Sequence, residues 1–388
     1  MTSQSENSRW LTATLEAGDI YFSSPTTQFV AKAADLAIKD LSPVSKKTVA
    51  DLFAQASSKN IENPILFGVV PFDVRQPASF VIPSSVERGA VPAASPADEA
   101  NPNRPAIVSK TPVPQPEAYA DAVREALAVF ASGEADKIVL ARAMDVQLGQ
   151  SAHLPAILDD LIKRNRQGYN FALPVWSDTA SYDYAGSMLG ASPELLVKRE
   201  GRQVFINPLA GSIGRHADPD IDESRRRGLA VSEKDLREHS YVVDDIVKNL
   251  QPFCDTLDVP DGPSVIGTDA LWHLSTYITG TLKDAQTTAL ELSCALHPTP
   301  AICGYPTAVA FDYIQKLEPF ERQYYAGLVG WQQANGDGEW ALTLRCAFYG
   351  QDNVMRLYAG AGTVAGSDPD SEVTETATKM ETFMRAIA

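Results

Sequence analysis

Apolar positions change period several times along the chain. Near the C-terminus Val373, Ala377, Met380, Met384 and Ile387 recur at i, i+4, i+7, i+11 and i+14, the core stripe of an amphipathic helix. Asp368-Pro369 supplies an N-cap and a Pro at its first helical position. Leu236, Val243, Ile246, Val247 and Leu250 follow the same period behind Ser232 and Asp235, which have capping-box spacing. Elsewhere short apolar runs predict strands. Leu195 to Lys198 and Gln203 to Asn207 flank Glu200-Gly201 as a hairpin that runs into Pro208-Leu-Ala-Gly-Ser212. A second hairpin pairs Trp340 to Phe348 with Val354 to Ala359 around Gly350-Gln-Asp-Asn353, and a helix, Ala118 to Ala131, precedes a strand, Lys137 to Arg142.

Residues 1–88 mix apolar runs with helical stretches such as Lys47 to Ser58 and belong to a folded N-terminal part. Residues 89–116 shift to Ala, Pro, Ser and Asn, which bury too little apolar area to offset ordering entropy, and read as a surface linker. Strands and helices come in mixed order without a fixed repeat, so the expected class is α+β with antiparallel sheets, in a single domain over residues 1–388.

With 44% hydrophobic residues in 388, a sizeable core is affordable. The polar stretch Met1 to Trp10 lacks a signal-like apolar run, so a soluble cytoplasmic protein is expected. Cys254, Cys294, Cys303 and Cys346 form no Cys-x-x-Cys pair and read as buried, reduced thiols. A net charge of −16 repels nucleic acid and anionic membranes, leaving small-molecule chemistry as the better reading. An anionic substrate would then need a bound cation and a few placed Arg or Lys side chains.

Several groups could carry chemistry. Glu372, Glu375 and Lys379 share a face of the last helix, which by itself reads as a solvated face with an ordinary i,i+4 pair. Asp235 and Glu238 lie in the first turns of the earlier helix, where acidic residues also simply compensate the dipole. Two carboxylates from each helix would equally make a hard-oxygen site suited to Mg²⁺. Gly360-Ala-Gly362 departs from dinucleotide-binding spacing and fits close backbone approach to an anionic group better. Taken singly, Lys137 and Glu194 read as surface charges and His273 as a core histidine, and no Ser-His-Asp or Cys-His arrangement is suggested by spacing.

Together, the segments Asp136-Lys-Ile-Val-Leu-Ala-Arg142, Gly190-Ala-Ser-Pro-Glu-Leu-Leu196, Pro208 to Ser212, Ser232-Glu-Lys-Asp-Leu-Arg-Glu-His239, Leu271-Trp-His-Leu274, His297-Pro-Thr-Pro-Ala301, Glu318-Pro-Phe-Glu321, Leu344-Arg-Cys-Ala347, Ala359-Gly-Ala-Gly362 and Glu372 to Lys379 resemble the chorismate-utilising enzymes. The resemblance is greatest to the isochorismate synthases of siderophore pathways, and Val70 to Pro77 extends it toward the N-terminus. It implies two large antiparallel sheets packed together with flanking helices, residues 117–388 forming the chorismate-binding core, and an active cleft between the sheets.

The resemblance also reverses the plain readings above. It implies Lys137 as general base and Glu194 as general acid, and Mg²⁺ held directly by Glu238 and Glu375 and through water by Asp235 and Glu372. Arg345, Lys379 and the Gly360 backbone would hold substrate carboxylates, and Gly211, Ser212, His273, Thr299 and Tyr325 would line the pocket. Ammonia-using relatives have Gln at the Lys137 position, and aminodeoxychorismate synthases have Lys at that of Ala210. Water is therefore the implied nucleophile, with no glutamine amidotransferase subunit and a monomeric protein. Salicylate synthase, which goes on to eliminate pyruvate, is the nearest alternative. A non-catalytic acidic scaffold would leave these positions without a reason, and the glycine spacing disfavours a dehydrogenase.

Overall fold

The computed structural model describes residues 10–92, 104–268 and 271–387. Two large antiparallel sheets dominate it, in agreement with the α+β expectation. The first runs in spatial order through Gly304–Tyr305, Lys137–Leu148, Val354–Val364, Cys346–Gly350, Tyr184–Ser192, Tyr169–Trp176, Ile20–Ser23, Thr27–Ala31 and Glu87–Ala90, with Ile107–Val113 also paired to Lys137–Leu148. The second orders Cys254–Asp258, Ile278–Leu282, Gln203–Asn207, Leu195–Glu200, Gly338–Leu342, Leu328–Gln333, Ile65–Val70, Ala78–Pro83 and Leu36–Ser42. A smaller sheet of Leu209–Gly214, Leu271–Ser275 and Ser264–Gly267 stands apart from both.

Ile65–Val70 and Tyr169–Trp176 are buried at every position, which is why each reads as a continuous apolar run rather than an alternation. The two sheets meet there. Phe29 and Phe67 pack edge to face at 5.7 Å, Trp176 Nε1 donates to Phe80 O at 3.1 Å, and Ser79 Oγ donates to Pro174 O at 3.2 Å. A second core covers the outer face of the first sheet, where Leu158, Ile162, Phe383 and Ile387, from the helices Leu154–Arg164 and Pro369–Ile387, pack on Leu189, Ala347 and Leu357. No helix among the described residues is long and apolar enough to cross a membrane. Cys254, Cys303 and Cys346 are buried, Cys294 is partly so, and all four thiols are free.

Three local expectations need correction. The strand Glu87–Ala90 runs into the stretch read as a linker and Ile107–Val113 is a strand within it, while residues 93–103 lie outside the described ones. Both strands are largely exposed and carry little apolar signal, and backbone pairing with Thr27–Val30 and Ala143–Leu148 decides their conformation. The strand expected over Trp340 to Phe348 is broken at Thr343 to Arg345: Gly338–Leu342 belongs to the second sheet and Cys346–Gly350 to the first. In the last helix Met380, Met384 and Ile387 are buried as expected, but Ala377 is exposed and Glu372 and Thr376 face inward instead. The rotation follows from Arg142, whose Nε and Nη2 donate to Thr376 Oγ1 and Val373 O, each at 2.8 Å.

Candidate active site

Two neighbouring chain segments pass from one sheet to the other side by side. Gly190 pairs with Cys346 in the first sheet and Leu195 with Ala341 in the second, so both crossings fall between those pairs, at Pro193-Glu194 and at Thr343 to Arg345. They are stitched by Leu342 N donating to Glu194 O at 3.2 Å and Ala191 N to Arg345 O at 3.1 Å. Arg345 takes a left-handed backbone, φ 47°, to make the turn. At these crossings lies a cleft of about 180 Å³, which all the candidate residues except Lys137 and Thr299 line.

Glu194 is buried, and Leu209 N donates to its Oε1 at 3.1 Å. Burial pushes its carboxyl from 4.5 up to about 8, against the opposing pull of the Leu209 N–H and of Lys137. At neutral pH it is therefore a neutral proton donor. Lys137 opens its strand just behind the cleft wall, is 1% exposed, and donates from Nζ to Glu238 Oε1 at 2.7 Å. Burial alone would raise the Glu238 carboxyl, but Lys137, aided by Lys234 and Lys379, outweighs it and the net shift is downward.

The acidic residues come from two helices. Glu233–Leu250 presents Asp235 and Glu238, and Pro369–Ile387 presents Glu372 and Glu375. The Ser232 cap forms as expected, its Oγ accepting from Asp235 N at 3.3 Å. The hydroxyl also donates to Asp235 Oδ2 at 2.5 Å, which turns that short carboxylate back toward the cap. Glu375 pairs with Lys379 at 2.7 Å, and Lys379 Nζ also donates to Gly360 O at 2.8 Å. Glu372 Oε2 is buried without a partner among the described residues, and burial first, then the charge of Glu375, raises its carboxyl. With Lys137 on Glu238 and Lys379 on Glu375, no three potential ligands are already gathered among the described residues. The oxygen-only donors and the orphaned Glu372 oxygen fit a hard divalent cation.

The small sheet brings together a pair that spacing did not suggest. Ser212 stands opposite His273, and its Oγ lies 2.6 Å from Nδ1. Burial, then the charges of Arg345 and Lys379, lowers the imidazole to about 3, so it is neutral, and its Nε2 has no partner among the described residues. That leaves a hydrogen-bonding group facing the cleft but no third residue to drive Ser212 as a nucleophile. Gly211, at φ 81°, lies so close to Asp235 that an added Cβ would fall 3.1 Å from the Asp235 Cβ.

Tyr325 stacks on Tyr358 with ring centroids 5.1 Å apart, and its hydroxyl would lie 2.9 Å from a Cβ at Gly360. The Arg345 guanidinium, its charge disfavoured chiefly by burial, has no hydrogen-bond partner among the described residues and faces the cleft ready for an anion. Thr299 is buried with an unpartnered Oγ1, but Ala301 and Ile302 from its loop line the cleft in its place. Lys234 also lines the cleft, and its charge acts on Glu238 and Glu372. The sequence carried a signal for it: a cation in the first turn of Glu233–Leu250 opposes the helix dipole and calls for a reason.

Comparison with known proteins agrees with this architecture. Residues 85–388 match the family described as chorismate binding enzyme. The isochorismate synthase DhbC of Bacillus subtilis is 44% identical over 87% of this chain and 84% of its own length. The isochorismate synthase EntC of Escherichia coli K12 is 36% identical over 99% of this chain and 98% of its own. Among solved structures, DhbC from Bacillus anthracis superposes with a TM-score of 0.89 at 38% identity, covering 97% of this chain and 98% of that one. Fold, cleft and relatives converge: the chain belongs to the chorismate-binding enzyme family, alongside its isochorismate synthases.

Proposed function

We propose that this chain is a Mg²⁺-dependent isochorismate synthase that interconverts chorismate and isochorismate and feeds siderophore biosynthesis. The observation that carries the reading is Glu194, a buried carboxyl that stays protonated at neutral pH on the wall of a cleft that also holds an unpaired arginine. Loss of a ring hydroxyl needs such an acid, because hydroxide leaves poorly unless it is protonated.

The substrate carries two carboxylates, and Arg345, Lys379 and the backbone at Gly360 receive them. Glu238 and Glu375 would hold the cation directly, with Asp235 and Glu372 reaching it through water. Bound there, Mg²⁺ supplies positive charge that offsets substrate carboxylate in a chain of net charge −16.

Lys137 Nζ, once free of Glu238, takes a proton from the water whose oxygen bonds to ring carbon C2. The ring double bonds shift, the C4–O bond breaks, and the departing oxygen takes the proton of Glu194 to leave as water. Proton exchange with solvent then resets both groups. Ser212, His273, Tyr325 and Gly211 shape the pocket, and Thr299 supports it from behind. The protein acts as a soluble cytoplasmic monomer with water as nucleophile and without a glutamine amidotransferase subunit. Product analysis of the protein with chorismate and Mg²⁺ tests the reading: isochorismate is expected, and unconverted chorismate would refute it.

A further inference from the structure

The strand that begins at Lys137 has an incomplete edge. On one flank Gly304–Tyr305 pairs only with Ile138 and Lys137, followed by Val139 N donating to Cys303 O at 2.9 Å, and Ile107–Val113 pairs only from Ala143 onward. The polar groups between, Val139 O and Ala141 N, face no strand. Two side chains take its place: Arg322 Nη2 donates to Val139 O at 2.6 Å, and Ala141 N donates to Glu318 Oε1 at 2.8 Å.

Arg322 and Glu318 are also joined to each other, Nε to Oε2 at 2.9 Å and Nη2 to Oε1 at 2.5 Å, with each side chain only 3% exposed. Nη1 reaches Ile302 O at 3.0 Å, on the loop that carries Thr299. Tyr325 N donates to Arg322 O at 2.9 Å, and the guanidinium lies 5.9 Å from the Tyr325 ring. One buried pair thus touches the strand of Lys137, the Thr299 loop and Tyr325. A buried ion pair contributes little net stability compared with apolar side chains of the same shape, so stability alone does not account for it.

We propose that Glu318 and Arg322 are positioning residues, a side-chain splice in the edge of the Lys137 strand that holds this strand in register with Tyr325 across the cleft. The proposal rests on the reading of Lys137 as general base. Lysine at position 322 keeps the charge but cannot bridge two carbonyls and a carboxylate at once, because the planar fork is lost.

The test compares E318L/R322M, R322K and K137A for melting temperature, kcat and KM. In the apolar double variant a melting temperature near that of the parent is expected, with kcat down by about tenfold or more at nearly constant KM, since misplaced catalytic groups lose rate rather than binding. R322K is expected to lose kcat likewise at nearly constant KM. If E318L/R322M does not fold, the isosteric E318Q is read in the same way. Folded variants with kcat like the parent's, beside an inactive K137A, overturn the positioning role alone. A fully active K137A overturns the base assignment on which it rests.

Discussion

Lys137 Nζ donates to Glu238 Oε1 at 2.7 Å, joining the start of a strand to a helix 101 residues further along the chain. The proposed base and a proposed cation ligand therefore share one contact. Removing the amine in Lys137→Ala leaves Glu238 without that partner and the attacking water without its base. Turnover of chorismate is expected to fall on the order of 10²-fold or more with KM little changed, because a general base acts mainly in the transition state. Steady-state kinetics check this, and an unchanged kcat would remove Lys137 from the mechanism.

The Glu194 carboxyl, raised by burial from 4.5 to about 8, gives a signed pH dependence. Activity is expected to decline as pH rises through about 8, as the acid loses its proton. Stability follows the same group. Below 4.5 the folded and unfolded chains both hold the proton, and between 4.5 and about 8 only the folded one does, so the stability tied to this group is lost across that window as pH rises. Glu194→Gln should lower kcat on the order of 10²-fold and be spared that loss of stability. Melting curves of the two proteins from pH 4 to 9 read it directly: a constant difference between them would contradict the buried, protonated carboxyl.

Chelation addresses the carboxylates of the two helices. Excess EDTA is expected to abolish turnover and added Mg²⁺ to restore it, while Glu238→Gln and Glu375→Gln lose on the order of 10²-fold or more, since a neutral amide does not offset a cation's charge. Full turnover in the chelator would end the metal assignment.

At Gly360 the added methyl group of Ala would stand 2.9 Å from the Tyr325 hydroxyl and 3.2 Å from Leu140 O. Gly360→Ala is expected to lower kcat/KM by about tenfold through displacement of Tyr325 and the backbone meant for a carboxylate. Adding Tyr325→Phe removes the nearer contact and should recover part of the loss. Equal activity of Gly360→Ala and parent protein would show that the approach is not tight.

Much of this site was legible before the fold, and the reasons differ from residue to residue. The helix Glu233–Leu250 announced itself by period and cap, since Ser232 closes its first turn and Ile246 and Leu250 are buried as the period implies, although Val242 is buried where the stripe had Val243. Glu194 and Lys137 were visible only as members of motifs. What makes them unusual is burial, which depends on strands distant in sequence. The break at Arg345 escaped pattern reading because Trp340 to Phe348 is apolar apart from Thr343 and Arg345, and the apolar residues on either side of the crossing enter different sheets. Ser212 and His273 meet through strand register, which sequence spacing does not encode. Ala377 looked like core by its spacing, yet the contacts of Arg142 with Thr376 and Val373 set the rotation of that helix.

The most direct measurement is the product made by the purified protein from chorismate with Mg²⁺, followed by chromatography and by a coupled pyruvate assay. Isochorismate is expected to accumulate to a constant ratio with chorismate, the same ratio is expected when the reaction starts from isochorismate, and pyruvate should appear at enzyme-limited rates only after isochorismatase is added. Stoichiometric pyruvate and salicylate formed without that second enzyme, at a rate proportional to protein, would contradict the account and identify a salicylate synthase instead.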